Sequence, residues 1–126
     1  MQLYKYAVSG FLHWGFNFFN TRRSLDVRDP MLDTSGGKWV PAGDTNMVYP
    51  AQNGEALESI RLLVFNEGMQ DMRAMQLCEE LYSHDEVVAA IEEVLGEELT
   101  LERCARSAAE MHAVREKINQ MIKAKI

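Results

Sequence analysis

Apolar positions divide the chain into two regions with different periods. Residues 10–19, GFLHWGFNFF, run apolar with almost no polar alternation, the pattern of a strand buried on both faces as in a parallel sheet. From residue 57 to 82, apolar side chains recur around much of a helix (Ile60, Leu63, Val64, Met69, Met72, Met75, Leu81), which predicts a largely buried helix interrupted at Gly68. Ser83, followed three residues later by Glu86, is a capping-box signal that opens a shorter helix through Val87, Ile91 and Leu95 and stops at Gly96. Thr100 is placed to cap a last helix, whose stripe runs Leu101, Cys104, Ala108, Met111, Ile118 and Met121, with Lys123 and Lys125 suited to the negative end of its dipole. Residues 20–56 hold all three prolines with clustered Gly, Asp and Asn and read as a long loop, with a short extended piece at TNMVYP. Loops of that length usually carry function.

A strand buried on both faces needs a neighbour on each side, and the rest of the pattern offers one weak extended segment and three helices. The order strand, long loop, helix is that of one unit of a barrel in which each strand leads into a loop at the C-terminal face and a helix packs back outside. The expectation is a mainly α chain with one or two short strands. It reads as the C-terminal fragment of a (β/α)8 barrel (last strand, loop and outer helix over 1–82), followed by a two-helix tail over 83–126. The alternative, a complete small domain, would need self-association or rearrangement to cover the strand edges.

Composition separates the two regions further. Up to residue 56 there are five basic and five acidic residues, and beyond it eight basic and fourteen acidic, so the net charge of -6 lies entirely in the second part. A surface that tracks phosphates needs clustered Lys and Arg, so nucleic acid is excluded as a partner. No stretch reaches the roughly 18 uninterrupted apolar residues of a membrane helix, so a membrane is not a partner either. The N-terminal MQLYKYAVSGFLHWGF is a poor signal-peptide core, and localisation is left unassigned. Cys78 and Cys104 fall in apolar helical positions, where a reduced thiol acts as a small hydrophobe. Nine of the eleven aromatics precede residue 56, which marks the first part as site and the second as scaffold.

Within the first part, Trp14 is placed in the strand near the mouth of a barrel, where an indole face can stack on the apolar face of a sugar or pack in the core. His13 and Asn17 are polar groups in an apolar run and need partners, and His13 reads as a satisfied structural residue with no metal-ligand cluster beside it. In the loop, Asp29 and Asp44 can accept hydrogen bonds from sugar hydroxyls or cap turns beside Pro and Gly, and Trp39 or Tyr49 can wall a subsite. On the helix, Glu67 and Asp71 lie four apart on one face and read as structural ion pairs with Arg61 or Arg73 rather than as chemistry. The eight methionines read as core filler, and no metal or cofactor is implied.

The order GFLHWGFN, then DP, then WVPAGDTNMVYP, then SIRLLVFNEGMQDMRAMQL resembles the C-terminal part of an uncharacterised bacterial domain related to glycoside hydrolase family 123, the β-N-acetylgalactosaminidase-like barrel proteins. The resemblance covers roughly residues 1–82. It implies a (β/α) barrel that cleaves N-acetylhexosaminides with help from the substrate's acetamido group, an adjacent Asp-Glu pair on an earlier strand doing the acid and orienting work. This chain has no such pair at a strand end, since Asp85-Glu86 opens a helix, so those roles have no positions here. Trp14, Asp44 and Tyr49 match motif positions near the sugar. Met1, inside what reads as the helix before the last strand, points to a truncated gene product.

Three functions follow as expectations. The first is a barrel portion, inactive alone, that contributes an aromatic sugar platform and a loop to an amino-sugar glycan site whose missing barrel portion lies elsewhere. The second is a helical interaction module, a homo-oligomer in which the 100–126 stripe pairs with a copy or partner. The third, independent catalysis, would need a hidden acid pair such as Asp29 with Asp44.

Overall fold

The computed structural model describes residues 1–126 apart from the side chain of Ser24. It is mainly helical: α1 (Gln2–Lys5), α2 (Ile60–Leu81), α3 (His84–Leu95) and α4 (Ala108–Lys123), with two short strands, β1 (Val48–Pro50) and β2 (Ala56–Glu58), paired antiparallel. The chain divides into two compact units, one of Met1–Gly10 with Gly68–Ile126, the other of Phe11–Glu67.

The first unit holds the apolar core. Val87 and Ile91 of α3 and Val114, Ile118 and Ile122 of α4 are buried, together with Leu99, Tyr4, Met75 and Cys78. Burying each aliphatic side chain of this size contributes about 1.5–3 kcal/mol, so this cluster dominates the stability of the unit. Ser83 caps α3 by accepting from the Glu86 amide, and Gly96 ends it in the left-handed conformation at φ 70°. Lys5 Nζ donates to Glu92 Oε1 (2.7 Å) and to the Leu99 carbonyl (2.6 Å), while the Leu99 amide donates to the same Glu92 oxygen (2.9 Å). These bonds hold the Glu92 carboxyl below its ordinary range, the Lys5 hydrogen bond contributing most.

Three expectations are corrected in this unit. The last helix is capped not by Thr100 but by Ser107, in a full capping box with Glu110. Thr100 instead turns the chain locally, its Oγ1 accepting from the amides of Glu102 and Arg103, and Leu101 is left exposed. The face of α4 that packs in this core is Val114, Ile118 and Ile122, so of the predicted stripe only Ile118 is fully buried. Helix α2 is long, yet only Met75 and Cys78 of it are buried. Both cysteines are free, Cys78 buried and Cys104 partly so.

The second unit is built differently. Its buried side chains are Pro30 and Met47 with the polar Thr45, Asn46 and Ser59, so hydrogen bonds carry more of its interior than apolar packing does. The expected strand 10–19 does not form. The Phe16 carbonyl accepts from the amides of Met47 and Val48, Phe18 donates to Thr45, and single bridges join Asn17 to Asn46 and Asn20 to Val27. With pairing confined to these contacts, a continuous ladder has no partner, and Phe11, Leu12, Trp14 and Phe16 remain exposed. The extended piece at TNMVYP does form, as β1. Its partner β2 takes up Ala56–Glu58, so α2 starts later than residue 57, with Ser59 accepting from the Leu62 amide at its entry.

Candidate functional site

The 41–46 turn gathers the polar side of the second unit. Gly43 has φ 90°, and a Cβ there would lie 2.7 Å from Arg61 Nη1, so the guanidinium packs directly over the glycine. Arg61 Nε donates to the Asn46 carbonyl (2.8 Å) and Nη2 to the Tyr49 hydroxyl (2.5 Å), with the guanidinium 5.7 Å from the Tyr49 ring centroid. Arg61 therefore clamps the turn to the start of α2. Gly15 is equally constrained, since a Cβ there would meet the Asp44 carbonyl oxygen and Thr45 Cα at 2.9 Å.

This close approach brings Trp14 to Asp44, its Nε1 donating to Asp44 Oδ2 at 3.1 Å. Trp39 joins from the tight 35–40 loop, where Gly36 leaves room for its indole. Trp14 and Trp39 have ring centroids 5.2 Å apart, and Phe18 sits edge-on to both, at 5.5 Å from Trp14 and 6.4 Å from Trp39. Trp14 is 47% exposed and Trp39 41%, so the cluster presents apolar ring surface to solvent beside a half-exposed carboxylate. His13 completes the edge, Nδ1 accepting from the Gly15 amide at 3.2 Å.

Of the residues singled out in the sequence, Trp14, Trp39 and Asp44 come together, and Tyr49 supports their turn through Arg61. Asn17 is exposed and takes part through its backbone bridge. Asp29 caps a turn, its Oδ1 accepting from the Met31 amide (2.9 Å). For Asp71 the partner differs from expectation: it binds Arg115 through two hydrogen bonds (2.7 and 2.9 Å), while Arg61 serves the turn and Arg73 donates to Gln70. Asp33 was not foreseen. Its carboxylate accepts from the Ser35 hydroxyl and the Ser35 and Gly37 amides, bonds that lower its pKa and shape the loop carrying Trp39. Phe18 was legible in principle, because it shares the parity of Trp14 in an extended segment.

The first unit has its own groove of about 700 Å³ between α1 and α2, lined by Tyr4, Gln76, Glu79 and His84 among others. At its edge His84 meets Glu79 Oε2 at 3.3 Å and the Lys5 carbonyl at 3.1 Å. Among the described residues, no group of three or more His, Cys, Asp or Glu side chains could hold a metal ion.

An exposed aromatic pair with a carboxylate at its edge offers ring faces for apolar stacking and an acceptor for hydroxyl hydrogens. The family of the glycoside hydrolase 123 catalytic domain matches residues 1–78, and the chain belongs to it. No curated protein matches the chain.

Proposed function

We propose that this chain forms part of the sugar-binding wall of a (β/α)-barrel glycoside hydrolase of the N-acetylhexosaminidase type and has no hydrolytic activity alone. The observation that carries the reading is the convergence of Trp14, Trp39 and Asp44 in a chain of this family. Hydrolysis by two carboxylates requires a facing pair. Here Asp29 is spent on a turn and Asp44 is held by an indole. The exposed apolar residues Phe11, Leu12 and Phe16, with Ile60, Leu63 and Val64 on α2, support the barrel origin, because a unit with so little apolar interior is suited to being covered by further strands.

The test is titration of the chain with N-acetylgalactosamine, read by tryptophan emission, alongside a chromogenic N-acetylgalactosaminide. Weak saturable binding, lost in Trp14→Ala, with no turnover is the expected result. Turnover by the purified chain, or emission indifferent to the sugar, refutes the reading. The same exposed apolar residues favour a second reading, self-association through the second unit. Light scattering distinguishes it, since a concentration-independent monomer rules it out.

A further inference from the structure

His13 stands beside the Asp44 carboxylate and has no part in the function proposed above. Its Nδ1 accepts the Gly15 amide hydrogen at 3.2 Å, which places the single proton of a neutral imidazole on Nε2. That nitrogen lies 3.9 Å from Asp44 Oδ1, beyond hydrogen-bond reach, while Oδ2 accepts from Trp14 Nε1 at 3.1 Å. The two carboxylate oxygens are therefore unequal: one is committed to the indole of the platform, the other faces an imidazole across an open gap. Protonation changes both ends of His13. A proton on Nδ1 removes the acceptor that the Gly15 amide uses, and the new charge draws the ring toward Asp44. Loss of the anchor and gain of the ion pair act in the same direction.

We infer that His13 is a positioning residue for Asp44. As neutral imidazole it leaves Oδ1 free to accept a ligand hydroxyl at the Trp14–Trp39 face, and as imidazolium it claims that oxygen, so that sugar binding weakens on acidification. The groups around it are few. From its own segment His13 meets the Phe11 ring, at 6.4 Å between centroids, and the Gly15 amide. From the 41–46 turn it meets Asp44, whose Oδ1 lies 3.9 Å from Nε2. From α2, Arg61 packs over Gly43 of that turn and is committed to Tyr49 and the Asn46 carbonyl. The ligand part of the inference rests on the sugar-binding reading, whereas the contact between His13 and Asp44 does not.

The chain has two tryptophans, Trp14 and Trp39, and both lie in this cluster, so emission reports it directly. The ligand-free chain is titrated from pH 8 to pH 5, the interval in which imidazole ordinarily changes charge. The expected result is an emission step that disappears in His13→Gln and shrinks in Asp44→Asn. Imidazole nitrogen NMR on the unsubstituted chain, which depends on no variant folding, is expected to show the Nε2–H tautomer of His13 at pH 8. His84 and His112 belong to the other unit and are separated from the effect by the His13 variant. A step unchanged in His13→Gln, or a Nδ1–H tautomer, overturns the inference. With N-acetylgalactosamine as probe, affinity is expected to fall about tenfold between pH 8 and pH 5.5 and to be flat in His13→Gln, the size of one lost hydrogen bond to a charged acceptor. Binding to the unsubstituted chain that ignores pH also overturns it. A His13-dependent emission step with no sugar binding at either pH supports the contact and sinks only the sugar-binding reading.

Discussion

Replacement of Arg61 tests whether one side chain holds the turn that carries Asp44. Its Nε bond to the Asn46 carbonyl is charge-assisted and partly buried, a class that contributes about 1.5–3 kcal/mol. The Tyr49 hydroxyl and ring add about 1 kcal/mol more. Partial exposure of Arg61 reduces the sum, so Arg61→Ala should cost the turn about 2 kcal/mol. The change should be local. Amide exchange at Asn46 and Met47, whose hydrogen bonds to Gly43 and Phe16 define the turn, should accelerate roughly 30-fold, since about 1.4 kcal/mol is a factor of ten. Amides of α3 should keep their rates. Arg61→Lys retains the charge but not the planar fork that reaches both acceptors, and should recover less than half of the loss. Tyr49→Phe removes only the hydroxyl and isolates its share. If Arg61→Ala leaves the Asn46 and Met47 rates within twofold of the unsubstituted chain, the clamp is not what holds Asp44 in place.

Three further outcomes follow. Leu99 is fully buried in the first unit, and Leu99→Ala should lower the unfolding free energy by about 3 kcal/mol in urea titration. A cost below about 1 kcal/mol would mean the core is looser than described. Glu92 has its folded-state pKa depressed, first by Lys5 and then by the Leu99 amide, so its contribution is present above the unfolded carboxylate range and is lost as pH falls through the folded value. Thermal melts should therefore show stability falling on acidification, with a shallower acid limb in Glu92→Gln; an identical slope would contradict the assignment. Gly15→Ala puts a Cβ against the backbone of Asp44 and Thr45 and should abolish the near-ultraviolet dichroism of the paired indoles, whereas Gly10→Ala, with open space around it, should leave the spectrum unchanged.

The sequence by itself determined the elements whose signals are local. The helix opening at Ser83 and closing at Gly96, the extended piece at TNMVYP, the concentration of aromatic residues before position 56 and the family to which residues 1–78 belong were all legible, because a cap needs only neighbours three residues away and a motif only its own order. Where two local signals competed, local reasoning chose wrongly. Thr100 and Ser107 can both cap a helix, and Ser107 won because Glu110 completes the reciprocal box while the residues after Thr100 turn back on its hydroxyl. Only tertiary structure decided the fate of the aromatic run. Its apolarity requires cover, but whether that cover is a ladder on both sides depends on residues distant in sequence, and here the pairing partners are single positions near Asn46 and Val27. The same holds for charge: Arg61 lies close to Glu67 and Asp71 along the helix, yet it serves Tyr49 and Asn46, and Asp71 reaches 44 residues onward to Arg115. Periodicity ranks partners along one element. Which cation meets which carboxylate, and which indole meets Asp44, is settled by how loops close, a matter of chain entropy and backbone clearance at Gly15 and Gly43 that no local pattern encodes.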